Sequence, residues 1–105
     1  EIREDIDARS VRLDVYVRDN KETVYNIEMQ AVDTKELPKR SRYYQSMLDL
    51  QLLNRGQSYR RLSRCYIIFI CLTDIFGKNK HIYTFKNICQ EDLKLILGDG
   101  TEKYF

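Results

Sequence analysis

The sequence predicts an α/β fold of the α+β kind, a mixed β-sheet with a helix crossing over one face. Three observations carry that prediction. The runs Val11–Arg18 and Val24–Ala31 alternate apolar and polar residues, the period of a half-buried strand. From about Leu37 to Asn54 the apolar residues recur at helical steps. Tyr66–Leu72 is continuously apolar and rich in β-branched and aromatic residues. It is short for a helix and reads as a strand covered on both faces. A hairpin followed by a helix crossover and another strand gives a mixed sheet.

Each element has its own warrant. Glu1 to Ala8 is charged without a clear period and reads as a lead-in or the tail of a preceding helix. In the hairpin, Leu13, Val15 and Val17 share one face of the first run, and Tyr25, Ile27, Met29 and Ala31 one face of the second. Arg12, Asp14 and Tyr16, with Asn26, Glu28 and Gln30, form the polar faces. Asp19 to Thr23 is a polar hairpin loop. Asp33-Thr34 is a capping pair, and Pro38 suits a first helical turn. Tyr44, Met47, Leu48 and Leu52 make the helix stripe, widened by Tyr43 and Leu50, and Gly56 is placed to end it. Asp74 to Lys80 has turn chemistry, with Asp74 as an acceptor of backbone N–H groups. His81 to Phe85 reads as a strand. Leu93 to Leu97 reads as a strand turning at Gly98-Asp99-Gly100 into Glu102 to Phe105, or as a short helix from Glu91.

A chain of 105 residues is expected to be one domain, residues 1–105, with a small core. No run is long and apolar enough for a membrane span, and no signal peptide is visible. The first residue is Glu1, and Lys103-Tyr104-Phe105 ends inside a strand-like run, so a fragment of a longer protein is expected. A net charge of +2 does not by itself indicate a nucleic-acid binder. Its distribution says more. Lys39, Arg40 and Arg42 cluster before the helix stripe, and Arg55, Arg60, Arg61 and Arg64 after it; each group suits phosphates or a solvated face. Cys65, Cys71 and Cys89 are odd in number and contain no Cys-x-x-Cys, which argues against zinc and a disulfide framework. Free buried thiols in a reducing cytoplasm are expected. His81 is the sole histidine, so Ser-His or Cys-His chemistry would have no other to draw on.

One pair stands out. With the turn centred on Lys21, Asp14 falls opposite Glu28 on the same face. Cross-strand Cβ atoms lie about 4.5–5.5 Å apart, so the carboxylates repel and a cation between them relieves the strain. Oxygen ligands on a hairpin suit Mg²⁺ or Mn²⁺. The alternative is two solvated acids on a polar strand face.

An Asp on one strand followed by Glu-x-Gln on the next resembles the active site of PD-(D/E)xK nucleases. Leu13-Asp14-Val15, Tyr25-Asn26-Ile27-Glu28-Met29-Gln30 and Arg42-Tyr43-Tyr44-Gln45-Ser46-Met47-Leu48 resemble its Rpn-type branch, the recombination-promoting nucleases and transposase-like proteins of bacteria. The match continues through Gly56-Gln57-Ser58-Tyr59, Tyr66-Ile67-Ile68-Phe69-Ile70-Cys71, Asp74-Ile75-Phe76-Gly77, Tyr83-Thr84-Phe85 and Leu97-Gly98-Asp99-Gly100. It covers most of the chain from Arg12 onward.

The resemblance implies a restriction-endonuclease-like sheet whose N-terminal core helix, with a further acidic ligand, is missing here. It implies catalysis by Asp14, Glu28 and Gln30, with Asp14 and Glu28 on Mg²⁺ or Mn²⁺. Gln30 stands where the superfamily commonly has Lys, although Gln is usual in this branch, and Arg42 or Lys39 could take over part of that role. DNA contacts are assigned to Lys39, Arg40, Arg42 and Gln45. The expected function is a metal-dependent DNA endonuclease domain of a bacterial, cytoplasmic, transposase-like protein. DNA is its partner, no membrane is involved, and the oligomeric state is open, a dimer included. Cleavage is expected of the full-length parent and not of the fragment. The alternatives are a non-catalytic DNA-binding or assembly domain with the same fold, and a protein-interaction module.

Overall fold

The computed structural model describes the backbone of residues 2–8 and 11–105, and side chains from residue 18 onward. In chain order the elements are β1 (Ile2–Ala8), β2 (Val11–Arg18), β3 (Val24–Gln30), α1 (Leu37–Leu52), β4 (Cys65–Cys71), β5 (Thr84–Phe85), β6 (Ile88–Cys89), β7 (Asp92–Ile96) and β8 (Thr101–Tyr104). A six-stranded sheet has the order β1-β2-β3-β4-β8-β5, and β6-β7 forms a separate two-stranded ribbon. The β1-β2, β2-β3 and β5-β8 pairs are antiparallel; β3-β4 and β4-β8 are parallel. The expected mixed sheet with a helix crossover between β3 and β4 is therefore present.

The hairpin loop closes on its own first residue. Asp19 Oδ1 accepts from the backbone N–H groups of Lys21 at 2.9 Å and Thr23 at 3.0 Å. Glu22 takes φ +63°, the left-handed conformation such a tight reversal requires. These bonds hold the register that pairs Val15 with Ile27 and Tyr16 with Asn26. The expected turn chemistry at Asp74 is also present. Its carboxylate accepts from the backbone of Phe76, Gly77 and Asn79 and from the Tyr83 hydroxyl, which lowers its pKa, the Tyr83 bond most.

The core lies between α1 and the middle of the sheet. Val24, Leu37, Tyr44, Met47, Leu48, Cys65, Ile67 and Phe69 are buried there. Leu37, Ser41, Tyr44, Leu48 and Leu52 descend one helix face in steps of three and four, the spacing that aligns side chains toward a sheet. Tyr43 and Leu50 are exposed and lie outside the stripe they were expected to widen.

Several expectations differ from the structure. Residues 2–8 form a strand, not a lead-in or a helix tail, because β2 offers them an antiparallel edge. The helix begins after Glu36, with Pro38 in its first turn. Asp33 does not cap it, closing instead on the Lys35 backbone N–H at 2.8 Å. The helix ends at Leu52, and Gly56 serves a later turn with φ +87°. Only Thr84 and Phe85 of the 81–85 run are in a strand. Residues 92–96 are a strand, but paired with β6, outside the main sheet. Of the three free cysteines only Cys65 is fully buried, where desolvation pushes its thiol up to about 12.

The largest difference concerns β4. It is interior, between β3 and β8, as expected. It is not covered on both faces. Ile67 and Phe69 are buried under α1, whereas Ile70 is 46% exposed on the other side. One helix covers one face only, so alternate residues of even a wholly apolar strand differ in burial. Tyr25, Tyr66 and Tyr104 line that open face with edge-to-face rings 5.5 and 6.1 Å apart.

Candidate active site

The face that α1 covers is the polar face of β3. Val24, Asn26 and Glu28 turn toward the helix, while Tyr25 and Ile27 are half-buried and Met29 is exposed on the far side. Hydrophobic alternation alone would have buried the opposite set. The apolar contribution to this layer comes instead from β4 and α1, which supply Cys65, Ile67, Phe69, Leu37, Tyr44, Met47 and Leu48. A strand that keeps Asn and Glu beneath a helix buries polar groups at a cost. Such groups need partners or a task.

Glu28 has its partner on the helix. Only 5% of the residue is exposed. Arg40 Nη2 donates to its Oε1 at 2.5 Å and to the Tyr44 hydroxyl at 2.6 Å, and Arg40 Nε donates to the same hydroxyl at 3.2 Å. Arg40 and Tyr44 stand four apart on α1, so both reach the same spot. The guanidinium also lies 5.4 Å from the Tyr44 ring centroid and 5.8 Å from that of Phe69. Tyr44 and Phe69 are stacked at 6.0 Å, and Phe69 is the residue of β4 level with Glu28. Burial disfavours charge on Arg40, but the Tyr44 and Glu28 contacts more than offset it, and its pKa is raised. Burial likewise raises the pKa of Tyr44 against the lowering effect of Arg40. The cluster is an ionised arginine locked between a carboxylate and two rings.

Gln30 lies two residues beyond Glu28 on the same face and is half-buried; its carbonyl accepts from Leu72 N–H at 3.2 Å. Asp14 lies on β2. Val15 pairs with Ile27, so the register extended by one residue sets Asp14 level with Glu28. The Asp14 side chain is outside the described residues. On the other side of β2, Glu4 pairs with Val15 and Ile6 with Leu13, which sets Asp5 of β1 level with Asp14. The strand that would have revealed Asp5 was missed because its alternation is short and its apolar residues few.

The residues assigned to DNA separate into two groups. Lys39 and Arg42 are exposed on the first turns of α1, with no ion pair among the described residues. Arg40 is held by Glu28 and Tyr44. Gln45 is nine-tenths buried, with its Nε2 donating to Asp49 Oδ1 at 3.2 Å. It lies with Tyr44 on the buried side of the helix. Asn26, also missed, is fully buried beside Glu28, with no hydrogen-bond partner for either amide atom among the described residues.

The carboxylates of Asp14 and Glu28 offer only oxygen, which suits a hard divalent cation. The Arg40 guanidinium on Oε1 shows that Glu28 accepts positive charge. Among the described residues no three His, Cys, Asp or Glu side chains gather as a metal cluster. None of their helices is long and apolar enough to cross a membrane.

Comparison with known families gives one match. The profile described as PD-(D/E)XK nuclease family transposase matches residues 1–104. No curated protein and no solved structure matches the chain.

Proposed function

Because this chain belongs to the PD-(D/E)XK nuclease family transposases, we propose that it is the metal-dependent DNA endonuclease domain of a cytoplasmic, bacterial transposase-like protein. The carrying observation is Glu28, a carboxylate sunk beneath α1 with the hairpin register bringing Asp14 level with it. Asp14 and Glu28 would hold the metal, Mg²⁺ or Mn²⁺, which when bound polarises the scissile phosphate and lowers the pKa of a water. The rest falls to this chain's own groups. Glu28 is kept in place by Arg40. The Gln30 amide, on the same strand face, donates a hydrogen bond that orients the attacking water. Lys39 and Arg42 take phosphates of the DNA backbone at the exposed start of α1.

A second reading, a non-catalytic DNA-binding or assembly domain with the same fold, has one observation on its side. Arg40 already neutralises Glu28. Plasmid nicking by the full-length protein separates the two. Cleavage in Mg²⁺ or Mn²⁺ that stops in EDTA is expected. DNA retention without cleavage in either metal would favour the second reading.

The phosphate contacts have a separate signature. Lys39→Glu and Arg42→Glu should each weaken DNA binding at every sequence and reduce the slope of log affinity against log salt by about 0.9. Both side chains are exposed, so melting should not move. Unchanged slopes in both variants would remove the start of α1 from the DNA surface.

A further inference from the structure

The geometry points to Arg40 as the residue that supplies, from helix α1, the positive charge that Gln30 cannot supply from β3. The inference rests on the nuclease reading above and assigns to it a residue that supplies charge at the phosphate. A neutral amide donates hydrogen bonds but carries no charge. Among the described residues, Arg40 is the one basic side chain ion-paired with Glu28. Lys39 and Arg42, its neighbours on the helix, are exposed and have no such contact.

Three features separate Arg40 from an ordinary surface pair, whose net worth is small. Its side chain is 26% exposed and that of Glu28 7%, so water screens the charge weakly. Its guanidinium is held at several points, by the Glu28 carboxylate, the Tyr44 hydroxyl and the faces of Tyr44 and Phe69. Its anchor is the helix that also closes the core through Leu37, Tyr44 and Leu48. A cation fixed this way needs no rearrangement when negative charge develops nearby, the condition under which a preorganised charge helps most. The planar fork can keep one N–H on Glu28 while others remain for a phosphate oxygen, since arginine has five donors.

The test measures DNA cleavage by the full-length protein in Mg²⁺, together with Mg²⁺ binding by calorimetry without DNA. Arg40→Gln should lower kcat by about a hundredfold, the effect of removing one preorganised charge or donor, with little change in KM. It should bind Mg²⁺ at least as tightly, because a competing cation next to Glu28 is gone. Adding Gln30→Lys to Arg40→Gln should restore at least about tenfold of the lost rate, since a lysine there returns the charge. A purely structural arginine would not be rescued from another strand. Should Arg40→Gln fail to fold, Arg40→Lys decides. Lysine keeps the charge but not the fork, so a loss smaller than the roughly hundredfold expected without the charge supports a role of charge, and a loss as large or larger in a folded protein overturns it. Near-normal cleavage by a folded Arg40→Gln, loss of Mg²⁺ binding with it, or no rescue by Gln30→Lys also overturns the inference. Asp14→Ala serves as the control. If the unaltered protein does not cleave, the nuclease reading itself falls; if Asp14→Ala cleaves normally, the site at Asp14 and Glu28 on which Arg40 would act falls. If it is inactive while Arg40→Gln is active, only the assignment of Arg40 falls.

Discussion

In the full-length protein, Asp14→Ala is expected to abolish DNA cleavage while leaving the melting temperature almost unchanged. Both halves follow from the position on β2. The register puts Asp14 level with Glu28, and two acids opposite each other on neighbouring strands are destabilising without a cation. Removing one relieves that repulsion, so a slight gain in stability without metal is consistent with the same geometry. Cleavage is another matter. A metal-assisted hydrolysis draws several kcal/mol of barrier lowering from its cation, and each 1.36 kcal/mol is tenfold in rate, so losing a ligand should cost about a thousandfold or more. The measurement pairs plasmid cleavage in Mg²⁺ and Mn²⁺ with thermal melts of the same preparations. Undiminished cleavage by a folded Asp14→Ala protein would take Asp14 out of the site. A large fall in melting temperature would mean that Asp14 is structural, which the repulsion argument forbids.

Phe69→Ala should be the most destabilising single truncation near the site. Phe69 is 2% exposed, stacks on Tyr44 at 6.0 Å and on Phe105 at 5.4 Å, and underlies the Arg40 guanidinium. Truncating a buried Phe costs about 3–5 kcal/mol through lost transfer energy and the cavity left behind. At about 4–8 °C per kcal/mol for a chain near this size, the melting temperature should fall by more than about 12 °C. Ile70→Ala, one residue along β4, should cost about 1 kcal/mol or less, since that side chain is already 46% exposed. The pair tests which face of β4 the helix covers. A larger cost at Ile70 would show that the covered face is the other one, and equal costs that the helix does not cover one face alone. Phe69→Ala should also slow cleavage more than its folded fraction explains, because the platform beneath Arg40 and Tyr44 is gone.

The ranges of most elements were legible in the sequence because they depend on local patterns. Alternation marked β2 and β3, three- and four-residue steps marked α1, and an apolar β-branched run marked β4. The turn at Asp74 followed from side-chain acceptors close in the chain. The strand at residues 2–8 was not legible. A charged, weakly alternating segment becomes a strand only when an edge such as β2 is there to pair with it. The ribbon of β6 and β7 was half legible, its second strand recognised without its partner.

The sequence by itself determined the family resemblance, the mixed sheet with its crossover, and the register that matches Asp14 with Glu28. A two-period strand and a five-residue loop leave few ways to pair. The choice of covered face was left to the tertiary structure. Periodicity says which residues share a side of a strand, but not which side a helix will take when both carry side chains able to pack or pair. Here α1 settled on the side with Asn26 and Glu28 because β4 contributed enough apolar surface to bury it and Arg40 met the buried acid. That docking made Arg40 a partner of Glu28, turned Gln45 inward, and left Tyr25, Ile27 and Met29 on the open side. These are contacts between residues more than ten apart in the chain, and no local pattern encodes them.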